Sequence, residues 1–134
     1  MYNKKSHPHY NFENFKKACK NKGLISISEN VRADADNYFR LRTKKDILDF
    51  IENDGLEDLV FINTKPWENN PNKKKIIMVD SYEFRSSGKL GYISIKCNNG
   101  IWTIKSFHLS GDMNYAMRNA INKLDIIKKL GGKI

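Results

Sequence analysis

The chain has 134 residues, 40% of them hydrophobic and 11% aromatic, which is enough to bury one hydrophobic core and excludes a disordered chain. It carries 24 Lys and Arg against 15 Asp and Glu, and the formal net charge of +9 at pH 7 attracts polyanions. Because no apolar run approaches the ~20 residues of a membrane span and the N-terminus lacks a signal-peptide core, we expect one cytoplasmic domain over residues 1–134 without membrane contact.

The cysteines and histidines are too scattered to predict a metal site. Cys19 and Cys97 lie far apart and outside any CxxC spacing, which also excludes a disulfide framework. His7 and His9 are distant in sequence from His108. We therefore expect no metal and no small-molecule cofactor, and both cysteines are predicted to be small core residues.

The first predicted element is a basic amphipathic helix that follows a flexible N-terminus at residues 1–10. Asn11 is a suitable N-cap, Phe12 and Phe15 belong to one apolar stripe, and Gly23 supplies a stop. The lysines of this segment fall mostly outside the stripe, so the helix is expected to present them to solvent.

A second helix is predicted after a polar connection. Residues 23–28 alternate enough for a short strand or an extended lead-out, whereas residues 29–42 favour a loop or a short helical turn. Thr43 and Asp46 have the spacing of a capping box in front of an amphipathic run, which ends near the turn at Asp54-Gly55.

Beyond this turn the period changes from helical to strand-like. Runs rich in β-branched and aromatic residues predict four antiparallel strands at 59–64, 76–84, 90–97 and 101–108. Asn99-Gly100 is a strong hairpin signal, and residues 65–75, with two prolines and three consecutive lysines, form a predicted exposed loop.

The third strand predicts a sheet with one dry face and one basic face. Ile93 and Ile95 point one way, so Tyr92, Ser94 and Lys96 point the other way. No carboxylate occurs after Glu83 until Asp112, so this strand-rich segment is cationic and nucleic acid is its expected partner.

Helical spacing returns in residues 110–134, which predicts a C-terminal helical extension that covers part of the sheet. The predicted fold class is therefore α+β, with two helices, an antiparallel four-stranded sheet and a C-terminal helix.

Several short motifs, taken in their order along the chain, resemble those of the MqsR-type mRNA interferase toxins of the RelE and barnase-like ribonuclease group. The resemblance covers roughly residues 7–109 and is carried by Pro8-His9, Lys16-Lys17, Gly55-Leu56, Asp80 with Tyr82, Gly88 with Tyr92, and Ser106-Phe107. It implies a RelE-like fold and a metal-independent endoribonuclease toxin that cleaves single-stranded RNA by 2′-hydroxyl attack and is neutralised by an antitoxin or immunity protein.

The resemblance also implies site residues. The family's site tyrosine falls on Tyr92, its basic residue after Ser-Phe falls on His108, and its earlier lysine is best matched by Lys65. Two positions depart from the family pattern, because Val79 stands where the family has glutamine and His108 where it has lysine.

The chemistry of RNA cleavage gives roles to these residues and to Arg85. It needs a base for the 2′-hydroxyl, cations for the phosphate and an acid for the leaving oxygen. His108 is the predicted acid, Tyr92 orients the hydroxyl or acts as base, and Arg85 and Lys65 pair with phosphate. The predicted RNA-binding residues are Lys73, Lys74, Lys75, Lys96, Tyr82 and Trp67.

Two other functions remain open at this point. One is a non-catalytic RNA- or protein-binding module, an inhibitor or regulator, on the same fold. The other is an effector whose basic face docks on an acidic protein, with residues 110–134 as a docking surface.

Overall fold

Short-range hydrogen bonds set where the helices begin. The computed structural model describes residues 7–110, within which each α-helix starts at a side chain that accepts from first-turn N–H groups. Asn11 caps the first helix, Ser28 the second, and Thr43 forms a capping box with Asp46 at the third. These caps satisfy N–H groups that have no partner inside a helix. The helices are α1 at Phe12–Ala18, α2 at Glu29–Phe39 and α3 at Lys44–Glu52, and a 3-10 turn spans Lys22–Leu24.

The strands form one mixed sheet of five. They are β1 at Ile25–Ile27, β2 at Glu57–Pro66, β3 at Met78–Ser86, β4 at Lys89–Asn98 and β5 at Ile101–Leu109. Their order is β1-β5-β4-β3-β2, with β1 parallel to β5 and every other neighbouring pair antiparallel. Two-residue turns at Ser87-Gly88 and Asn99-Gly100 join β3 to β4 and β4 to β5. All four turn residues have φ between 51° and 80°, as hairpin turns that match strand twist require.

All three helices pack on the same face of the sheet, where the core lies. Phe39 of α2 contacts Phe84 of β3 and Phe107 of β5, with ring centroids 5.4 and 5.3 Å apart. On α1, Phe15 contacts Trp102 of β5. Aromatic pairs of this kind add stabilisation beyond the apolar area they bury. The other face of β2–β5 carries no helix of the described residues, and we call it the open face.

The structure confirms the α+β class but corrects the predicted strand count and order. The expected four-stranded antiparallel sheet is wrong because residues 25–27 pair with β5 in parallel and add a fifth strand. The expectation of two helices before the sheet is also wrong, since α2 occupies most of residues 29–42. Only Val31 and Ala35 of α2 are buried, so its apolar stripe is too thin to produce a clear helical period.

Two predictions at the chain ends lie partly or wholly outside the described residues. The C-terminal helix predicted at 110–134 falls outside them except for Ser110, and so do residues 1–6 of the segment predicted to be flexible. Residues 9 and 10 of that segment are hydrogen-bonded to the sheet through Asp80. No helix within residues 7–110 is both long and apolar enough to cross a membrane.

Candidate functional site

The open face is built by strand alternation. Side chains of β3 and β4 that point away from the helices meet in register, so they form rows that run across the sheet. The row at the centre consists of Glu83 on β3, Tyr92 on β4 and His108 on β5, since Glu83 pairs with Tyr92 and Tyr92 pairs with His108. We call these three residues the central row.

Tyr92 and His108 are stacked. Their ring centroids are 5.1 Å apart and their planes are inclined by 20°. His108 Nδ1 lies 2.8 Å from the carbonyl oxygen of Leu109. The strand register therefore brings together the two residues that the sequence predicts as proton donor and hydroxyl-orienting group.

Glu83 is the member of the central row that the sequence reasoning missed. Its Oε2 accepts a hydrogen bond of 2.7 Å from Ser110 Oγ, which fixes the carboxylate beside the end of β5. A signal was present, because Glu83 stands two residues before Arg85 and strand alternation places both on one face. The open face is thus a cationic surface with a carboxylate next to its tyrosine and histidine.

A second row of hydroxyl groups borders the central row. Ser81 pairs with Ser94, and Ser94 pairs with Ser106 across β3, β4 and β5. Tyr92 donates a hydrogen bond of 2.9 Å from its hydroxyl to Ser81 Oγ. This contact holds the phenol over the second row, and sequence reasoning had predicted none of these serines as site residues.

Trp67 covers two lysines at the side of the open face. Lys96 Nζ lies 3.9 Å from the indole centroid and Lys105 Nζ lies 5.3 Å from it. Lys105 reaches this position because it is the extra residue of a bulge between the pairs Ser94–Ser106 and Ile95–Ile104. Burial lowers the pKa of Lys96, and the charge of Lys105 lowers it further. Such close ammonium groups over an indole are a cation–π arrangement.

Next to Trp67 and Tyr92 the open face has a groove with a volume of about 180 Å³. The aromatic side chains of Trp67 and Tyr92 contribute to its lining, together with Lys65, Ser81, Glu68 and Lys105. The groove is therefore adjacent to the central row, and it contains groups that stack, accept hydrogen bonds and attract anions.

The loop at residues 67–77 is ordered by its asparagines. Asn70 is 6% exposed, donates from Nδ2 to the carbonyl of Lys75 and accepts from the N–H of Asn72. At the base of the loop, the backbone N–H of Trp67 donates to the backbone carbonyl of Ile77 at 2.7 Å. These bonds hold Trp67 against the sheet.

The predicted lysines of this loop are exposed, and one of them is bonded to the sheet. Lys75 Nζ donates to Asn98 Oδ1 at 2.6 Å, which ties the loop to the β4–β5 turn. Lys73 and Lys74 extend into solvent. The loop therefore adds positive charge beside the groove.

The predicted phosphate-binding residues fall at two ends of the open face. Lys65 is exposed on β2 opposite Val79, at the groove. Arg85 is exposed on β3, two residues beyond Glu83 and on the side away from the groove. The structure therefore does not place Lys65 and Arg85 side by side.

Tyr82 lies elsewhere, in the core. It is 3% exposed and its ring contacts Phe12 and Phe61 at centroid distances of 4.9 and 5.7 Å. Burial raises the pKa of its hydroxyl. Because Tyr82 alternates with Glu83 along β3, it faces the helices, and the prediction that it binds RNA on the basic face is corrected accordingly.

Asp80 also faces away from the central row. It is fully buried, and its two carboxylate oxygens accept from the backbone N–H groups of His9 and Tyr10 at 3.1 and 2.9 Å. The carboxylate therefore fastens the segment before α1 to β3.

Comparisons of the chain with protein-family models, with curated proteins and with solved structures found no match. The resemblance to the MqsR-type toxins stays a prediction.

Proposed function

We propose that this protein is an endoribonuclease that cleaves single-stranded RNA on the open face. The observation that carries the proposal is the central row, in which a stacked tyrosine and histidine stand in register with a carboxylate on a cationic sheet. A histidine and a carboxylate are the side chains best suited to proton transfer near neutral pH, because their ordinary pKa values lie below or near 7.

The spacing of the row suits an in-line displacement at phosphorus. Neighbouring strands lie about 4.8 Å apart, so the backbones at Glu83 and His108 are separated by about 10 Å with Tyr92 between them. This leaves room for a phosphodiester over the tyrosine. Glu83 and His108 then lie on opposite sides of it, as a base and an acid require.

In the proposed reaction the 2′-hydroxyl oxygen attacks the neighbouring phosphorus as Glu83 takes its proton. The bond from phosphorus to the 5′ oxygen breaks, and His108 gives a proton to that oxygen. The products are a 2′,3′-cyclic phosphate and a 5′-hydroxyl. The Tyr92 hydroxyl orients the attacking group, and the cations of the open face offset the charge that develops on the phosphate.

The test is incubation of purified protein with a mixed-sequence RNA in EDTA, followed by sequencing of the product ends. We expect His108→Ala and Glu83→Gln each to lower the cleavage rate about 10²-fold or more, since a positioned acid or base contributes about 10²–10⁴-fold. His9→Ala is the matched control because His9 is exposed on the N-terminal segment, away from the central row. We expect this control to cleave at the wild-type rate.

Two results would overturn this mechanism. If folded His108→Ala cleaves as fast as wild type, the central row is not the site. If cleavage is absent in EDTA and returns with Mg²⁺, the reaction depends on a metal. Circular dichroism of each variant separates loss of activity from loss of fold.

A non-catalytic RNA- or protein-binding module is the second candidate. It is favoured by one feature, namely that the chain's own groups already engage the site: Ser110 bonds Glu83 and Trp67 covers Lys96. In that case the same experiment yields intact RNA that the protein nevertheless binds.

The proposal extends to location and partner. RNA as substrate agrees with action in the cytoplasm, and an antitoxin or immunity protein with an acidic surface would neutralise the enzyme by covering its open face. We expect expression of the enzyme alone to arrest growth and co-expression of such a partner to relieve that arrest.

A further inference from the structure

The groove beside Tyr92 has the size of a single heterocycle. Its volume is about 180 Å³. Pockets for drug-sized ligands start at about 300 Å³, and a helix or a folded peptide needs more room still.

Two aromatic side chains contribute to the groove, and one of them is held in place by charge. Lys96 and Lys105 lie over the Trp67 indole. The backbone N–H of Trp67 donates to the backbone carbonyl of Ile77 and closes the base of the loop. Tyr92 is likewise fixed, by its hydrogen bond to Ser81. Rigid aromatic rings are the usual platform on which unpaired bases stack.

Two buried polar atoms near the groove have no hydrogen-bond partner among residues 7–110. One is Trp67 Nε1, a donor, and the other is Asn63 Oδ1, an acceptor on β2 opposite Ser81. Buried polar groups are nearly always paired, so water or a bound polar group is expected to complete these two. The edges of a nucleobase carry both donors and acceptors.

We propose that this groove binds one nucleobase of the RNA, stacked on Trp67, next to the phosphate that is cleaved over the central row. Lys65 and Lys105 contact the phosphates on either side of that base. The position relative to the cleaved bond rests on the proposed function, whereas binding of the base itself does not.

The experiment uses Trp67 as its own reporter. The described residues contain two tryptophans, and Trp102→Phe leaves Trp67 to report on the groove while the other ring packs against Tyr10 and Phe15. The four nucleoside 5′-monophosphates are titrated against this variant by fluorescence and against wild type by calorimetry. Ribose 5-phosphate, which has the same charged group and no base, is the matched ligand.

We expect at least one nucleotide to bind ten times more tightly than ribose 5-phosphate and to change the Trp67 emission. Trp67→Ala should weaken that nucleotide about 5- to 150-fold, which is the effect of losing one base stack. Trp67→Phe should weaken it less. Lys17→Ala, which removes an exposed lysine on α1 outside the groove lining, should leave the preference over ribose 5-phosphate intact.

If ribose 5-phosphate binds as tightly as every nucleotide, the groove holds only an anion and the inference is overturned. It is also overturned if Trp67→Ala, folded by circular dichroism, binds the preferred nucleotide as wild type does. The RNA cleavage assay separates this inference from the proposed function. If the protein binds the base but does not cleave RNA, the proposed ribonuclease activity is wrong and the base-binding groove stands. If it cleaves RNA but does not bind the base, the groove inference is wrong and the ribonuclease activity stands.

Discussion

At the scale of single residues, burial decides which side chains remain chemically available. The Cys19 thiol is 3% exposed between α1 and the core, and burial, followed by the charge of Glu52, raises its pKa to about 12. Cys97, near the end of β4, is partly exposed. The sequence predicted both cysteines as small core residues, and the structure places only Cys19 in the buried core, whereas Cys97 is partly buried.

The two thiols should therefore differ in reactivity. At pH 8 a thiol with a pKa of about 12 is a thiolate to the extent of only about 10⁻⁴, so a thiolate-specific reagent should label Cys97 and spare Cys19. Mass spectrometry of native protein treated with iodoacetamide measures this. The Cys97→Ser variant should remain unlabelled until denaturant is added, and rapid native labelling of that variant would contradict the assigned burial of Cys19.

At the scale of elements, the N-terminal segment and β3 depend on each other. The Asp80 carboxylate accepts both backbone N–H groups of His9 and Tyr10, and the Tyr10 hydroxyl donates to Met78 O at 2.7 Å. A fully buried carboxylate is stable only when it is well hydrogen-bonded. These bonds orient α1 where its phenylalanines reach the core.

Removing this carboxylate should destabilise the fold. Asp80→Ala leaves two backbone donors without their acceptor, and hydrogen bonds to charged groups contribute about 1.5–3 kcal/mol each. We expect the free energy of unfolding in urea to fall by about 2–4 kcal/mol. Asp49→Ala is the control, because Asp49 is half-exposed in an i,i+4 pair with Lys45 and its loss should cost about 0.5 kcal/mol or less. Equal losses in the two variants would show that Asp80 does not fasten the segment.

At the scale of the whole molecule, charge is divided between two faces. The helix face combines lysines with carboxylates, as in the pairs Lys16–Asp54 and Lys45–Asp49. On the open face and its loop, lysines stand beside aromatic rings and amides instead, as Lys96 does with Trp67 and Lys75 with Asn98. A polyanion is therefore attracted to the open face more than to the helices.

The salt dependence of RNA binding should identify that face. The measurement uses His108→Ala as background so that the RNA stays intact. Each phosphate contact on a single strand contributes about 0.7 to the slope of log Kobs against log salt. Changing both Lys73 and Lys74 to Ala should therefore make the slope shallower by about 1.4. Lys17 and Lys22, exposed on the α1 side, are the matched pair and should leave the slope unchanged. If both pairs flatten the slope equally, RNA is bound by overall charge and not by the open face.

Features that depend on neighbouring residues follow from the sequence alone. The caps at Asn11 and Thr43 and the turn at Asn99-Gly100 occur where predicted, because each depends on two to four consecutive residues. The alternation of Tyr92 with Ile93 likewise follows from the pleat of a single strand. The α+β class follows from the sum of these local signals.

Contacts between residues far apart in the sequence produce the fifth strand, the central row and the position of Trp67 over Lys96. β1 joins the sheet by pairing with β5, which lies more than 70 residues further along the chain. Glu83 meets Tyr92 and His108 through the register of three strands, and the bulge at Lys105 shifts that register by one residue. No short stretch of sequence specifies such contacts, because register is set by the combined packing of distant residues against a common core.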